Sequence, residues 1–244
     1  MVVVLKLGGS VITEKDRPET LDGAALAALA EAIAAADVED LAIVHGGGSF
    51  GHHHAAERGV TTTDGIRDTD GVMAVHGAMT TLNRFVLSRL HERDVPALPV
   101  HPLSAGARDA DGDLSVPTEQ VATMVAEGFV PVLHGDGVVH AGEGVTVVSG
   151  DELVTELATA LDADRVGLCS TVPGVLDGDD EVIPRIGAFD EVADVLGVSD
   201  ATDVTGGMAA KVRELLDLDS PAYVFGPEAV GRFLAGEDAG TRVG

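Results

Sequence analysis

Two apolar runs in the first fifth of the chain each stop at a glycine cluster, and this pattern constrains the fold more than any other feature. Residues 1–7, rich in β-branched side chains, end at Gly8-Gly9-Ser10, and residues 41–45 end at Gly46-Gly47-Gly48. Runs of this length and composition read as buried strands. Helical spacing follows over residues 21–36, 70–93, 117–127, 152–161, 205–216 and 227–234. The longest of these carries an apolar stripe of Val72, Val75, Met79, Leu82, Val86 and Leu90. Further strands are predicted over 95–100, 130–134, 165–170 and 222–225, with a hairpin over 138–148 turning at Ala-Gly-Glu-Gly. Strands alternating with helices require a mostly parallel sheet covered on both faces. The expected fold class is therefore α/β, a three-layer αβα sandwich with a mostly parallel open sheet. At 244 residues, with no internal repeat and no Pro/Ser-rich linker, the chain reads as one domain. In such sheets ligands sit at the carboxyl ends of the strands, which is where the glycine clusters fall.

Composition narrows the function. A content of 45% hydrophobic residues supports a packed core, and 15 Lys+Arg against 41 Asp+Glu give a formal net charge of −26. Nucleic acid and anionic membrane surfaces both select basic patches, so neither is expected as a partner. One cysteine, Cys169, leaves no intramolecular disulfide framework and no cysteine-based zinc site. No secretory leader or apolar stretch of about 18 residues is read, so a cytoplasmic location is expected. The acidic residues are spread along the whole chain rather than gathered in a tail. Their self-repulsion destabilises a compact state in dilute salt, and a Debye length of about 3 Å at 1 M salt removes most of it. A protein of a high-salt cytoplasm is expected, with unfolding midpoints that rise as KCl is added. Full folding and activity at low ionic strength would contradict this.

The chain holds only three lysines, each near a glycine pair: Lys6 before Gly8-Gly9-Ser10, Lys15 a turn after it, and Lys211 four residues after Gly206-Gly207. Paired glycines let backbone N–H groups approach a phosphate with no side chain between, and lysines add point charges. The run Thr205-Gly206-Gly207 is expected to open a helix whose amide dipoles suit an anion. Ser149-Gly150-Asp151-Glu152 opens another, where Asp151 caps the helix or holds Mg²⁺ through water. Residues 45–52, HGGGSFGH, contain a formal G-x-G-x-x-G in Gly46, Gly48 and Gly51, with Asp68 further on. A dinucleotide fingerprint must open a helix, whereas residues 55–65 run into Gly59 and a Thr-rich loop, so an anion cradle is the reading adopted. Three consecutive imidazoles cannot face one ion in regular structure. His52 is accordingly expected to face the cradle, with His53 and His54 exposed. Asp109-Ala110-Asp111-Gly112-Asp113 lacks calcium-loop spacing and reads as an acidic turn. No P-loop motif occurs. Three glycine-rich anion sites with three lysines and no covalent nucleophile are the parts needed for phosphoryl transfer by positioning and charge neutralisation.

In order along the chain, Lys6-Leu7-Gly8-Gly9-Ser10 with Lys15, the block His45 to His52, Ser149-Gly150-Asp151, and Thr205-Gly206-Gly207 with Lys211 resemble the amino acid kinase family. Gly240-Thr241 fits as well. The block from His45 to the closing His52 resembles the isopentenyl phosphate kinase branch more specifically, and fosfomycin kinase is similar there. The resemblance implies an open αβα sandwich, commonly homodimeric. Its acceptor half would span about residues 1–145 and its nucleotide half about 146–244. It implies ATP with Mg²⁺ as cofactor and isopentenyl phosphate as the small-molecule acceptor, converted to isopentenyl diphosphate. By the same resemblance Lys6, Gly8, Gly9 and Ser10 surround the ATP phosphates, and Lys15 stabilises the transferring group. Gly46 and Gly47 bracket acceptor and donor, His52 holds the acceptor phosphate, and Gly150 contacts substrate. Gly207, Lys211 and Ser170 face the nucleotide. One loop departs from the family, which has a T-D-V-D-G-like run where this chain reads Ser170-Thr171-Val172-Pro173-Gly174. Both aspartates are missing, which bears on base preference. Met73, Val75 and Met79 are weighed as an acceptor-tail lining against plain core packing. A same-fold kinase for fosfomycin or UMP, and a non-catalytic nucleotide sensor, are the competing readings.

Overall fold

A computed structural model describes residues 1–36, 38–196 and 207–244. The chain opens with β1 (Val2–Leu7), α1 (Gly9–Ile12), α2 (Gly23–Ala36), β2 (Asp40–His45), α3 (Gly48–Arg58) and α4 (Thr69–His91). It continues through β3 (Ala97–Pro99), α5 (Pro102–Ala105), β4 (Ala107–Arg108), β5 (Leu114–Ser115), α6 (Thr118–Ala126) and β6 (Val130–His134). Next come β7 (Asp136–His140), β8 (Gly144–Val148), α7 (Gly150–Ala160), β9 (Arg165–Cys169), β10 (Arg185–Ile186) and α8 (Ala193–Leu196). The last described elements are α9 (Gly207–Leu216), β11 (Ala222–Phe225), α10 (Val230–Leu234) and β12 (Thr241–Val243).

Eight strands form one sheet in the order β10-β12-β11-β9-β1-β2-β6-β3. Every neighbouring pair in it is parallel except β11 with β12. The period-2 alternation of β1 assigns its faces. Val3, Leu5 and Leu7 pack with Leu26 and Leu29 of α2, Leu82 and Val86 of α4, and Phe233 of α10. Val4 packs on the other side with Val121 of α6, Leu153 and Leu157 of α7, and Val212 of α9. Lys6 shares the parity of Val4, so its side chain is delivered to the α7 and α9 layer. Gly167 of β9 leaves room for an aromatic stack: a Cβ there would sit 2.5 Å from the Phe233 ring, which stacks on Phe225 with centroids 4.9 Å apart.

The three-layer sandwich agrees with the sequence reading, with differences in the hairpin and in β3. The hairpin is part of a second sheet, β5-β4-β7-β8, whose strands β4 and β5 are two residues long and carry no readable period. The acidic turn joins those two strands, with Asp109 Oδ1 accepting from the N–H groups of Asp111 and Asp113. Strand β3 is shorter than the predicted 95–100. Asp94 has φ +59°, and Pro96 has no N–H for a ladder, so pairing begins at Ala97.

Candidate active site

Strand register builds the floor of the site. Leu7 pairs with His45 and with Cys169, and His45 pairs with His134, so four strands end level. The residues that follow form a continuous hydrogen-bonded rung. Gly8 N–H donates to Cys169 O (2.9 Å), Gly46 N–H to Leu7 O (3.0 Å), and Gly135 N–H to His45 O (3.1 Å). Ser170 joins the rung through its N–H to Phe225 O (2.8 Å). Above the rung, backbone packs on backbone. A Cβ on Gly9 would lie 2.1 Å from Gly48 N, and one on Gly48 (φ +48°) 2.2 Å from Thr13 Oγ1. Only glycine fits at either position, and the first turns of α1 and α3 meet there. First-turn amides have no intrahelical acceptor, so this junction presents donors to an anion.

Charge enters from the α7 and α9 layer. Lys6 Nζ donates to Asp151 Oδ1 at 2.6 Å, and Lys211 Nζ lies 3.7 Å from Asp151 Oδ2. Both Lys6 and Asp151 are buried. Burial pulls the Lys6 pKa down and the Asp151 charge works against it, with Lys211 adding to the fall. For Asp151 burial pushes upward, but the charges of Lys6 and Lys211 outweigh it and hold the carboxyl below its usual range. Glu214 on α9 is raised, first by burial and then by the charges of Asp151 and Glu152. Gly150 places no side chain against Lys6, whose Cε would be 3.2 Å from a Cβ there. Asp151 does not cap α7, contrary to one of the two roles expected of it. Ser149 does so in a capping box with Glu152, accepting from Glu152 N–H at 3.1 Å.

The remaining predicted residues fall around this centre. Ser10 is exposed on α1, and Gly207 opens α9 with φ +63°. Thr205 and Gly206 lie outside the described residues. Lys15 is exposed on a loop whose base is fastened to the glycine junction. Thr13 Oγ1 donates to Gly9 O (2.8 Å) and accepts from Ser49 N–H (3.0 Å), and Glu19 N–H donates to Ser49 O (3.1 Å). His52 is exposed on α3, with its Cδ2 3.5 Å from a Cβ built on Gly47. His53 and His54 are half-buried rather than exposed, because Glu57 lies within 4 Å of both and Glu19 bonds His54. The glycine block does open a helix, α3, contrary to the expectation for this segment. Gly48 to Gly51 are buried in its first turn. Of the weighed tail residues, Met73 is exposed, and Val75 and Met79 are core, with the Met79 sulfur 3.5 Å from a Cβ built on Gly47. Gly240 and Thr241 are structural, with Thr241 Oγ1 accepting from Val175 N–H at 2.8 Å just beyond the divergent 170–174 loop. Burial pushes the Cys169 thiol up to about 12, so it is no nucleophile.

A histidine cluster beneath the floor went unread in the sequence. His76 Nδ1 bonds Asp136 Oδ2 at 2.8 Å, His101 Nδ1 faces His134 Nε2 at 2.8 Å, and His45 stacks on His134 with centroids 5.4 Å apart. The Asp136 bond raises the His76 pKa, against burial. These residues are scattered along the sequence. The one signal was the repeated His-Gly that ends β2 and β6.

The profile of the amino acid kinase family matches residues 1–218, and the chain belongs to that family. Within the family it is similar to the isopentenyl phosphate kinases. It is 65% identical to that of Haloferax volcanii, over 98% of this chain and 97% of the relative. It is 34% identical to that of Methanothermobacter thermautotrophicus, over 99% and 98%. A solved isopentenyl phosphate kinase structure superposes with a TM-score of 0.85 at 29% identity, covering 100% of both chains.

Proposed function

We propose that the protein transfers the γ-phosphoryl group of ATP to isopentenyl phosphate, giving isopentenyl diphosphate and ADP by direct in-line displacement. The observation that carries this reading is the glycine junction of α1 and α3, set level with Lys6 and flanked by the Lys6–Asp151–Lys211 array. Two unit charges about 5 Å apart repel by about 3 kcal/mol at an effective dielectric of 20, and ATP with a phosphomonoester brings several such pairs together. Lysines and aligned amides offset that repulsion. An ionised phosphate is already a nucleophile, so no general base is needed. Lys6, Gly8, Gly9, Ser10 and Lys15 are assigned to the ATP phosphates and the transferring group, Gly46, Gly47, His52 and Gly150 to the acceptor, and Ser170, Gly207 and Lys211 to the nucleotide side. Among the described residues no group of three or more His, Cys, Asp or Glu side chains could hold a metal ion. Asp151 already faces two lysines, so Mg²⁺ is assigned to the ATP phosphates rather than to a protein site, where it neutralises charge.

The reading includes an acceptor lobe and a nucleotide lobe divided near residue 145, a homodimer, and a high-salt cytoplasm. No described helix is long and apolar enough to cross a membrane. Fosfomycin, UMP and sensor readings are not favoured beside relatives at 65% and 34% identity that are isopentenyl phosphate kinases. His52 tests the acceptor assignment. His52→Ala is expected to raise the KM for isopentenyl phosphate and lower kcat, with the KM for ATP little changed. Steady-state ADP release measures all three, and an unaltered acceptor KM would contradict the role.

A further inference from the structure

His45 and His134 end neighbouring strands in register, both wholly buried and each followed by glycine. Each ring turns its Nδ1 onto the carbonyl of that glycine, 3.1 Å from Gly46 O and 2.9 Å from Gly135 O. A carbonyl only accepts, so Nδ1 carries the proton in both rings. For His134 the other nitrogen then accepts from His101 Nδ1–H at 2.8 Å. For His45 the other nitrogen faces Asn83 Oδ1 at 3.3 Å, a second acceptor. Two acceptors would require an imidazolium, yet burial, followed by the charge of His134, holds the His45 pKa near 3. Meanwhile Asn83 Nδ2 is buried without a partner. A half-turn of the amide, whose two orientations differ only in the placement of O and N, removes both conflicts. It leaves an unpaired carbonyl oxygen in place of an orphaned N–H, the less unusual of the two.

We propose that Asn83 donates its side-chain N–H to His45 Nε2 and is a positioning residue for the acceptor cradle. It acts through His45. With Nε2 occupied as an acceptor, the ring keeps its proton on Nδ1 and clamps the Gly46 carbonyl. That carbonyl and the Gly47 N–H belong to one planar trans peptide and point in opposite directions. Holding the carbonyl on His45 therefore aims the Gly47 amide away from the α4 layer, and Gly46 N–H is already fixed on Leu7 O (3.0 Å). Both peptide groups of Gly46 are locked before any substrate arrives. The pair His101–His134 repeats the device one strand away.

Two measurements test this, and only the second depends on the proposed acceptor. In ¹⁵N-histidine-labelled protein, long-range ¹H–¹⁵N NMR between pH 6 and 8 is expected to show His45 neutral, with Nδ1 protonated and Nε2 bare. Asn83→Asp, nearly isosteric and accepting only, is expected to make that ring doubly protonated. A wild-type His45 carrying its proton on Nε2 would overturn the proposal whatever the enzyme's substrate. In the kinetic arm, Asn83→Leu is expected to lower kcat/KM for isopentenyl phosphate about 10- to 100-fold, the scale of a small misplacement at a reacting centre, with the ATP KM within about twofold. Wild-type acceptor constants in Asn83→Leu would also overturn it. If the leucine variant does not fold, the wild-type tautomer and Asn83→Asp decide the matter.

Discussion

Asp151→Ala is expected to destabilise the protein by about 3–5 kcal/mol, the range for removing one partner of a buried ion pair, and to lower turnover about 100-fold. At 2.6 Å the Lys6–Asp151 attraction is about 6 kcal/mol at an effective dielectric of 20. Desolvation of two buried ions is of similar size, several kcal/mol each, so the intact array contributes little net stability. Removing the carboxylate leaves Lys6 buried and facing Lys211, with Glu214 as the remaining opposing charge. Lys6 then sheds its proton more readily, because burial already pulls its pKa down and Asp151 is the larger of the charges that oppose the fall. A neutral Lys6 no longer offsets phosphate repulsion, which lowers the rate. Denaturant unfolding at fixed high KCl and steady-state ADP release measure the two effects. A variant within about 1 kcal/mol of wild type and with near-normal turnover would show that the array is not the electrostatic centre. The same linkage sets a pH dependence. The Asp151 carboxyl lies below its unfolded value, so its contribution is present above the ordinary carboxylate range and is lost as pH falls through the folded pKa.

Lys15→Ala is expected to separate rate from stability. Lys15 is exposed on the loop that hangs from Thr13 and Ser49, and truncating an exposed side chain changes stability by about 0.5 kcal/mol or less. Its assigned task is to meet charge that develops on the transferring phosphoryl group. Loss of one preorganised stabiliser of that kind lowers kcat by about 10²–10³, or about 2.7–4 kcal/mol. The expected result is an unchanged unfolding midpoint with a collapse in kcat. Near-normal turnover would refute the assignment. Equal losses of stability and rate would place Lys15 in the fold rather than in the reaction.

The contrast between these two lysines shows what could be read from residue order. Lys6 and Lys15 were both legible as cations near Gly8 and Gly9, because a chain with three lysines sets each near a glycine pair. The strands ending at Leu7 and His45 were legible for a related reason: apolar β-branched runs cannot continue through glycine clusters. What pairs with Lys6 was not legible. Asp151 is 145 residues away, and its own neighbourhood suggested a cap, a task that Ser149 performs. The parity of β1 and the register of β1 on β2 bring Lys6 to α7, and neither is visible before the sheet exists. The histidine cluster was hidden in the same way, since the pairing of β2 with β6 and the packing of α4 assemble it. The opening of α3 was missed because its glycines, poor helix formers in isolation, are held by the close approach of Gly9 and Thr13.

The assignment of the site turns on the acceptor. The most direct measurement is ADP release from Mg·ATP in concentrated KCl with isopentenyl phosphate, dimethylallyl phosphate, fosfomycin, UMP and acetylglutamate supplied one at a time. Turnover confined to the two isoprenoid phosphates is the predicted result. Turnover with fosfomycin, UMP or acetylglutamate in their place, or ATP binding with no turnover on any acceptor, would contradict it.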